Sequence, residues 1–229
     1  MKKTNVLIAL IVSAGIILSG CGASNTVKGT AIGGGAGAAI GAGIGALFGK
    51  GKGAAIGAAI GTAVGAGAGA LIGHKMDKQK EELAKIEGAQ VETVTDANNL
   101  QAIKVTFTDG ILFDTGKSVL HANSKASLTS FAASLKEHVE TDVTIYGHTD
   151  NTGSAAVNER LSKERAESVA QFLAAQGVST LRLTTAGKSF NEPVADNSTA
   201  AGRAQNRRVE IFITANATMV QQAEQGTLR

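Results

Sequence analysis

The chain of 229 residues carries a single cysteine, Cys21, so no disulfide can form within it and no cysteine nucleophile stands in a folded region. Its four histidines, at 74, 121, 138 and 148, show no metal-ligand spacing, and no Gly-x-Ser-x-Gly elbow is present. Residues 110–118 come near a phosphate-binding loop, but five residues separate the two glycines where four are required. These absences argue against an enzyme and leave no motif for a cofactor. Basic charge on the folded part is lacking too. Residues 1–87 hold nine Lys/Arg against four Asp/Glu, whereas residues 88–229 hold thirteen against fifteen, so the basic balance belongs to the N-terminal part. A nucleic-acid reader would carry its patch on the domain, and no nucleic-acid partner is expected.

What is present begins with a short cationic start, Met1 to Asn5, and an apolar run from Val6 to Leu18 that is too short to span a bilayer comfortably. It reads as a signal peptide over residues 1–20. The junction Leu18-Ser19-Gly20-Cys21 resembles the lipobox of bacterial lipoproteins. That resemblance implies cleavage before Cys21, a diacylglycerol on its thiol, usually an acyl chain on the new N-terminus, and a lipidated tether over residues 21–28. Each buried methylene of an acyl chain contributes about 0.8 kcal/mol, and two chains anchor stably. Gly22, where many inner-membrane lipoproteins have Asp, implies the outer membrane by the same resemblance.

Glycine then recurs every fourth residue from Gly29 to Gly73. On a helix this spacing forms one slowly winding stripe, beside which Ile32, Ile40, Ile44, Ile56, Ile60, Val64 and Ile72 stand exposed. It is the small-xxx-small pattern of packed membrane helices, repeated. Lys50-Gly51-Lys52 divides residues 29–73 into two uncharged segments, each close to the roughly 20 residues of a membrane crossing. A helical hairpin of this kind would return the chain to its starting side and could pair copies of the chain. The alternatives are a Gly/Ala linker or a soluble packing helix, because glycine opposes an isolated helix by about 1 kcal/mol relative to alanine. Residues 74–88 read as a charged, solvated helical spacer.

From about residue 89 the pattern changes. Val91 and Val94, then Ile103, Val105 and Phe107, flank a turn at Asp96-Ala97-Asn98-Asn99 and predict a hairpin. Ile111-Leu112-Phe113 reads as a short strand, and a helix from Asn123 repeats Leu128, Phe131 and Leu135. A strand over 142–146 follows. The next helix is expected to place Val157, Leu161, Val169, Phe172 and Leu173 on its apolar side and to stop at Gly177. Strands over 181–186 and 209–214 flank a polar loop, 187–207, that holds the one proline. The order βαβαββ predicts an α+β domain over 89–215, with two helices on one face of a mixed sheet. Residues 216–229 read as a flexible tail.

Four segments carry a specific resemblance: Phe113-Asp114, Gly147-His148-Thr149-Asp150, Asn158-x-x-Leu161-Ser162-x-x-Arg165-Ala166, and Gly202 to Glu210. Together they resemble the C-terminal peptidoglycan-binding domain of outer membrane protein A, over about residues 100–215. The resemblance implies a ligand, the meso-diaminopimelate residue of uncrosslinked stem peptides, with Asp150 and Arg165 as its two principal contacts. It also implies that Phe113 and Asp114 form the opposite wall, that Thr149, Asn158 and Leu161 line the site, and that Arg208 lies near. Arg203 and Arg207 read as parts of a structural ion-pair network. The physics of the ligand agrees, since one carbon bears an ammonium and a carboxylate. Asp accepts from the first, and the planar fork of Arg takes the second. The expected function is thus an outer-membrane lipoprotein that binds peptidoglycan noncovalently, with its domain in the periplasm. The competing expectation is a membrane-active, oligomeric or pore-forming glycine-ladder protein that the domain positions.

Overall fold

A computed structural model describes residues 64–108, 112–114 and 116–229. The signal peptide, Cys21 and the ladder up to residue 63 lie outside the described residues.

The expected hairpin forms between β1 (Gln90–Thr95) and β2 (Gln101–Thr108), paired antiparallel from Gln90↔Thr106 to Thr95↔Gln101. Its turn is built by Asp96, whose Oδ1 accepts from the backbone N–H of Asn98 at 2.8 Å and of Leu100 at 2.9 Å, while Asn99 takes a positive φ of 58°. Helix α2 (Ala122–Glu137), β3 (Thr141–Gly147), α3 (Ala155–Ala175), β4 (Leu183–Gly187), α4 (Ala200–Asn206), β5 (Arg208–Ala215) and α5 (Ala217–Glu224) follow. The sheet order is β1-β2-β5-β3-β4, with β3 and β4 parallel and the other neighbours antiparallel. This is the mixed sheet that the sequence implied. β5 lies at its centre and is buried on both faces.

Alternation along the strands sends Val105, Phe107, Val143, Ile145, Val209 and Ile211 into one core with Leu128, Phe131 and Leu135 of α2 and Ala166, Val169 and Leu173 of α3. Phe107 and Phe131 meet edge to face at 6.2 Å. On the opposite face Tyr146 and Phe212 pack at 5.6 Å, and Lys188 Nζ lies 4.6 Å from the centre of the Tyr146 ring. Helix α3 sits unusually close to the sheet. A Cβ at Gly147 would stand 1.9 Å from the Ser162 carbonyl oxygen, and one at Gly187 would stand 2.5 Å from Ser162 Oγ. Two strands therefore end in glycine where a helix backbone crosses them.

Several segments differ from the sequence reading. Residues 74–88 are not a solvated spacer: helix α1 (Ala66–Leu83) begins within the glycine ladder and docks on the domain, with Ile72, Met76 and Leu83 fully buried. Ile72 is thus buried in the domain core and not exposed beside the glycines, and the ladder's last residues belong to this helix. Met76, Gln79 and Leu83 continue the stripe at intervals of three and four, hidden among charges that dominate the composition. No helix among the described residues is long and apolar enough to cross a membrane.

Residues 216–229 likewise include a helix. Asn216 caps α5 by accepting from the Met219 N–H at 3.0 Å, and Met219, Val220 and Ala223 are buried. Ile111 lies outside the described residues, and Phe113 makes one isolated bridge with Leu120 instead of a strand. At the start of the expected strand over 181–186, residues Thr180–Arg182 form a 3-10 turn, with Leu181 exposed. Arg182 donates to the carbonyls of Thr141, Leu135 and His138 at 2.6, 2.7 and 2.8 Å, closing the C-terminus of α2. The loop 187–207 contains α4, capped by Thr199 Oγ1 accepting from the Gly202 N–H at 2.9 Å.

Candidate functional site

The site residues gather where β3 ends and α3 begins. Beyond Gly147 the chain is held by two backbone bonds, from the His148 N–H to the Arg208 carbonyl and from the Thr149 N–H to the Ser189 carbonyl, both 2.9 Å. The turn that follows places Asp150 with 7% of its surface exposed. Asp150 Oδ1 accepts from the Thr152 N–H at 2.8 Å, and Oδ2 accepts from Arg207 Nη1 at 2.7 Å. Burial works against the Asp150 charge, but Arg207 and the Thr152 amide outweigh it and hold the carboxyl below its usual range. Ser154 caps α3, and Asn158 Nδ2 donates to the Thr152 carbonyl at 2.9 Å, tying the helix to the turn.

Arg165 lies two turns further along the same helix face and is 1% exposed. Its Nε donates to the Lys117 carbonyl at 3.0 Å, and its guanidinium carbon lies 5.3 Å from the centre of the Phe113 ring. Phe113 is buried as well. The sequence placed Val157 on the apolar side of α3, but Val157 is exposed, and the buried positions begin with Asn158, Ser162 and Arg165. Close backbone approach at Gly147 and Gly187 leaves no room for large side chains there. Polar groups occupy the inner face instead.

Thr149 is buried, with its Oγ1 lacking a hydrogen-bond partner among the described residues. Asp114 stands apart from the buried group. It is largely exposed and pairs with Lys117 Nζ and His121 Nε2, each at 2.9 Å, contacts that hold its carboxyl below the ordinary range. Leu161 is half-buried. Arg208 turns to the back of the sheet, where Nε meets Glu210 Oε1 at 2.9 Å and Nη2 donates to the Glu192 carbonyl at 3.1 Å. Arg207, read from sequence as a network residue, is thus the partner of Asp150, and Asp150 and Arg165 meet different groups. The spacing of charges along the chain carries no signal for the Arg207 contact. It depends on α4, held through Asn206, whose Oδ1 accepts from the amides of Val194 and Ala195 at 2.8 and 2.9 Å.

Beneath the turn, His148 Nε2 lies 3.6 Å from Glu210 Oε2, and both side chains are nearly inaccessible. Burial lowers the His148 pKa from its ordinary 6.5 against the pull of Glu210. Burial would raise the Glu210 carboxyl, but His148 and Arg208 prevail and hold it far below its ordinary 4.5. The signs agree. A depressed imidazole contributes stability above pH 6.5 that is lost as pH falls toward its folded pKa, and depressed carboxyls contribute stability above their ordinary range that is lost on further acidification. Urea midpoints measured from pH 7 to pH 3 should therefore fall in two stages, and Glu210→Gln should flatten the lower one.

The fold and this constellation define an OmpA-like domain. Residues 112–207 match the family model described as the OmpA family, and residues 1–77 match the YMGG-like Gly-zipper. The chain belongs to the OmpA family, and it is 42% identical over 221 residues to the probable lipoprotein YiaD of Escherichia coli K12, a match covering 93% of this chain and 99% of that one. It is also 42% identical over 107 residues to the peptidoglycan-binding protein ArfA of Mycobacterium bovis, covering 43% of this chain and 33% of that longer protein. Among solved structures it is similar to the cell wall anchor of the T6SS from Pseudomonas aeruginosa, at 32% identity and a TM-score of 0.52, covering 62% of this chain and 97% of that one.

Proposed function

We propose that the protein is an outer-membrane lipoprotein, anchored through acylated Cys21, whose periplasmic domain binds peptidoglycan noncovalently and so ties the membrane to the wall. The observation that carries the reading is a buried arginine, Arg165, laid over Phe113 at the end of the sheet where Asp150 also sits. Its Nε is fixed on the Lys117 carbonyl, which orients the guanidinium plane. A fork of that kind suits a carboxylate, and a carboxylate such as Asp150 suits an ammonium; diaminopimelate presents both on one carbon. The likeness to a relative named for peptidoglycan binding and to a cell wall anchor supports the polymer as partner. The long match to a probable lipoprotein, which takes in the N-terminal region, supports the lipid.

In this reading Arg165 takes the ligand carboxylate, Asp150 takes its ammonium, and Phe113, Asp114, Thr149, Asn158 and Leu161 shape the surroundings. Arg207 keeps Asp150 ionised and oriented before the ligand arrives. Arg208 acts from behind, by fixing Glu210 and the strand that supports the turn. Co-sedimentation with purified sacculi tests the assignment: the full-length chain should pellet, and the Asp150→Asn, Arg165→Ala double variant should remain in solution. Equal pelleting of the two would sink the site.

A further inference from the structure

Beneath the Asp150 turn lies a buried ionisable group that takes no direct part in holding a ligand. The His148 side chain is 1% exposed, and neither ring nitrogen has a hydrogen-bond partner among the described residues. Its Nε2 stands 3.6 Å from Glu210 Oε2, outside hydrogen-bond distance. Resting on the peptidoglycan reading above, we propose that His148 is a proton-sensitive positioning residue of that site: the neutral imidazole leaves Glu210 to Arg208 and keeps the Asp150/Arg207 pair in place, and its protonation weakens the hold on the wall polymer.

The charged groups around the imidazole come from β2, β5 and the loop after β4. Arg208 Nε and Lys104 Nζ both meet Glu210 Oε1, at 2.9 and 3.1 Å. Lys188 and Glu192 pair with each other at 3.0 Å. Tyr146 lies opposite Glu210 in the sheet, and its phenol, pushed up to about 12 by burial, stays neutral. Lys104, Lys188 and Arg208 thus already outnumber Glu192 and Glu210 before the imidazole gains a charge.

Arg208 links this cluster to the ligand side. Its Nη1 donates to the Asn206 carbonyl at 3.2 Å and its Nη2 to the Glu192 carbonyl at 3.1 Å, which fixes the peptide leading into Arg207. Arg207 Nη1 in turn holds Asp150 Oδ2 at 2.7 Å. An imidazolium would donate to Glu210 Oε2 and draw that carboxylate from Arg208, while the His148 backbone N–H stays pinned to the Arg208 carbonyl at 2.9 Å. The adjustment then falls on Arg208 and on the peptide before Arg207. The new charge also lies two residues from Asp150, where the ligand ammonium must sit, and like charges repel. Both effects have one sign. Burial lowers the imidazole pKa, and the Arg208 charge lowers it further against the pull of Glu210, so the loss comes below the ordinary 6.5. Asp150, held below its ordinary range, remains ionised there.

The test titrates the full-length chain in detergent with free meso-diaminopimelate by calorimetry, from about pH 7.5 to about pH 5. The ligand keeps its charges over this range, and affinity should fall about threefold or more. By linkage, bound ligand should lower the His148 imidazole pKa, followed by NMR, by about half a unit or more. His148→Gln, whatever its affinity at the upper end, should bind equally across the range. A parent affinity that does not change with pH, or a dependence that persists in His148→Gln and so lies with His121 beside Asp114, would overturn the role of His148 and leave the wall reading standing. A His148 pKa indifferent to ligand in the parent chain would overturn it too, with no variant needed. No binding by the parent at the upper end of the range would overturn the wall reading and this inference together.

Discussion

Arg165→Ala is expected to remove retention on sacculi and to lower the stability of the domain by about 2–4 kcal/mol. Both effects arise from one side chain. The guanidinium is among the largest fully buried groups of the protein, and its removal leaves a void over Phe113 and takes the Nε donor from the Lys117 carbonyl. Co-sedimentation reads the first loss and urea denaturation the second. Arg165→Lys separates them. Lysine keeps the charge and much of the stem but offers a point charge in place of a planar fork, so the domain should stay folded while retention falls more than tenfold. Wild-type retention by Arg165→Lys would mean that charge alone suffices and that bidentate recognition is wrong.

Gly147→Val is expected to destabilise the domain by about 3 kcal/mol or more, because the new Cβ would meet the Ser162 carbonyl, a backbone atom that cannot rotate away. Helix α3 would have to move off the sheet. Asn158 and Arg165 ride on that helix, so any variant that still folds should also lose its grip on the wall. A guanidinium midpoint equal to that of the parent would show that the close approach of α3 is not required. Gly187→Ala, whose Cβ would meet Ser162 Oγ at 2.5 Å and the Lys163 backbone nitrogen at 2.8 Å, should produce a smaller loss of the same kind, because the hydroxyl can turn aside and the backbone approach is less severe than the 1.9 Å at Gly147.

Much of the fold could be read from local pattern. Val91 to Phe107 alternate around an Asp-led turn, and Leu128, Phe131 and Leu135 recur at helical spacing; in each case the signal lies within a few residues. Gly177 adopts the positive φ of 94° that a helix stop requires, and it too is a local matter. What pattern could not reach was docking. The stripe Ile72, Met76, Leu83 is helical in spacing, but nothing in it says that its partners are β2 and α5, and the surrounding lysines and glutamates suggest solvent. The tail hides its helix for the same reason. Met219, Val220 and Ala223 are too few to announce a helix until α1 supplies the surface that buries them.

The candidate site divides in the same way. Asp150, Asn158 and Arg165 could be picked out from motif and helix face, and the structure brings the turn and the helix to one end of the sheet. Along α3 apolar periodicity marks the inner face at Val169, Phe172 and Leu173 but not over the first turns, where Asn158, Ser162 and Arg165 face inward and Val157 is exposed. Arg207 reaches Asp150 across 57 residues of sequence, by way of a short helix and an asparagine that fixes its loop. No spacing rule reports a contact of that range.

The most direct test of the account is competition: full-length chain pelleted with sacculi in the presence of increasing free meso-diaminopimelate. The account predicts saturable release of the parent chain into solution, and no diaminopimelate-dependent release from the small fraction of Asp150→Asn that still pellets. Retention indifferent to excess diaminopimelate, with Asp150→Asn pelleting as the parent does, would contradict it.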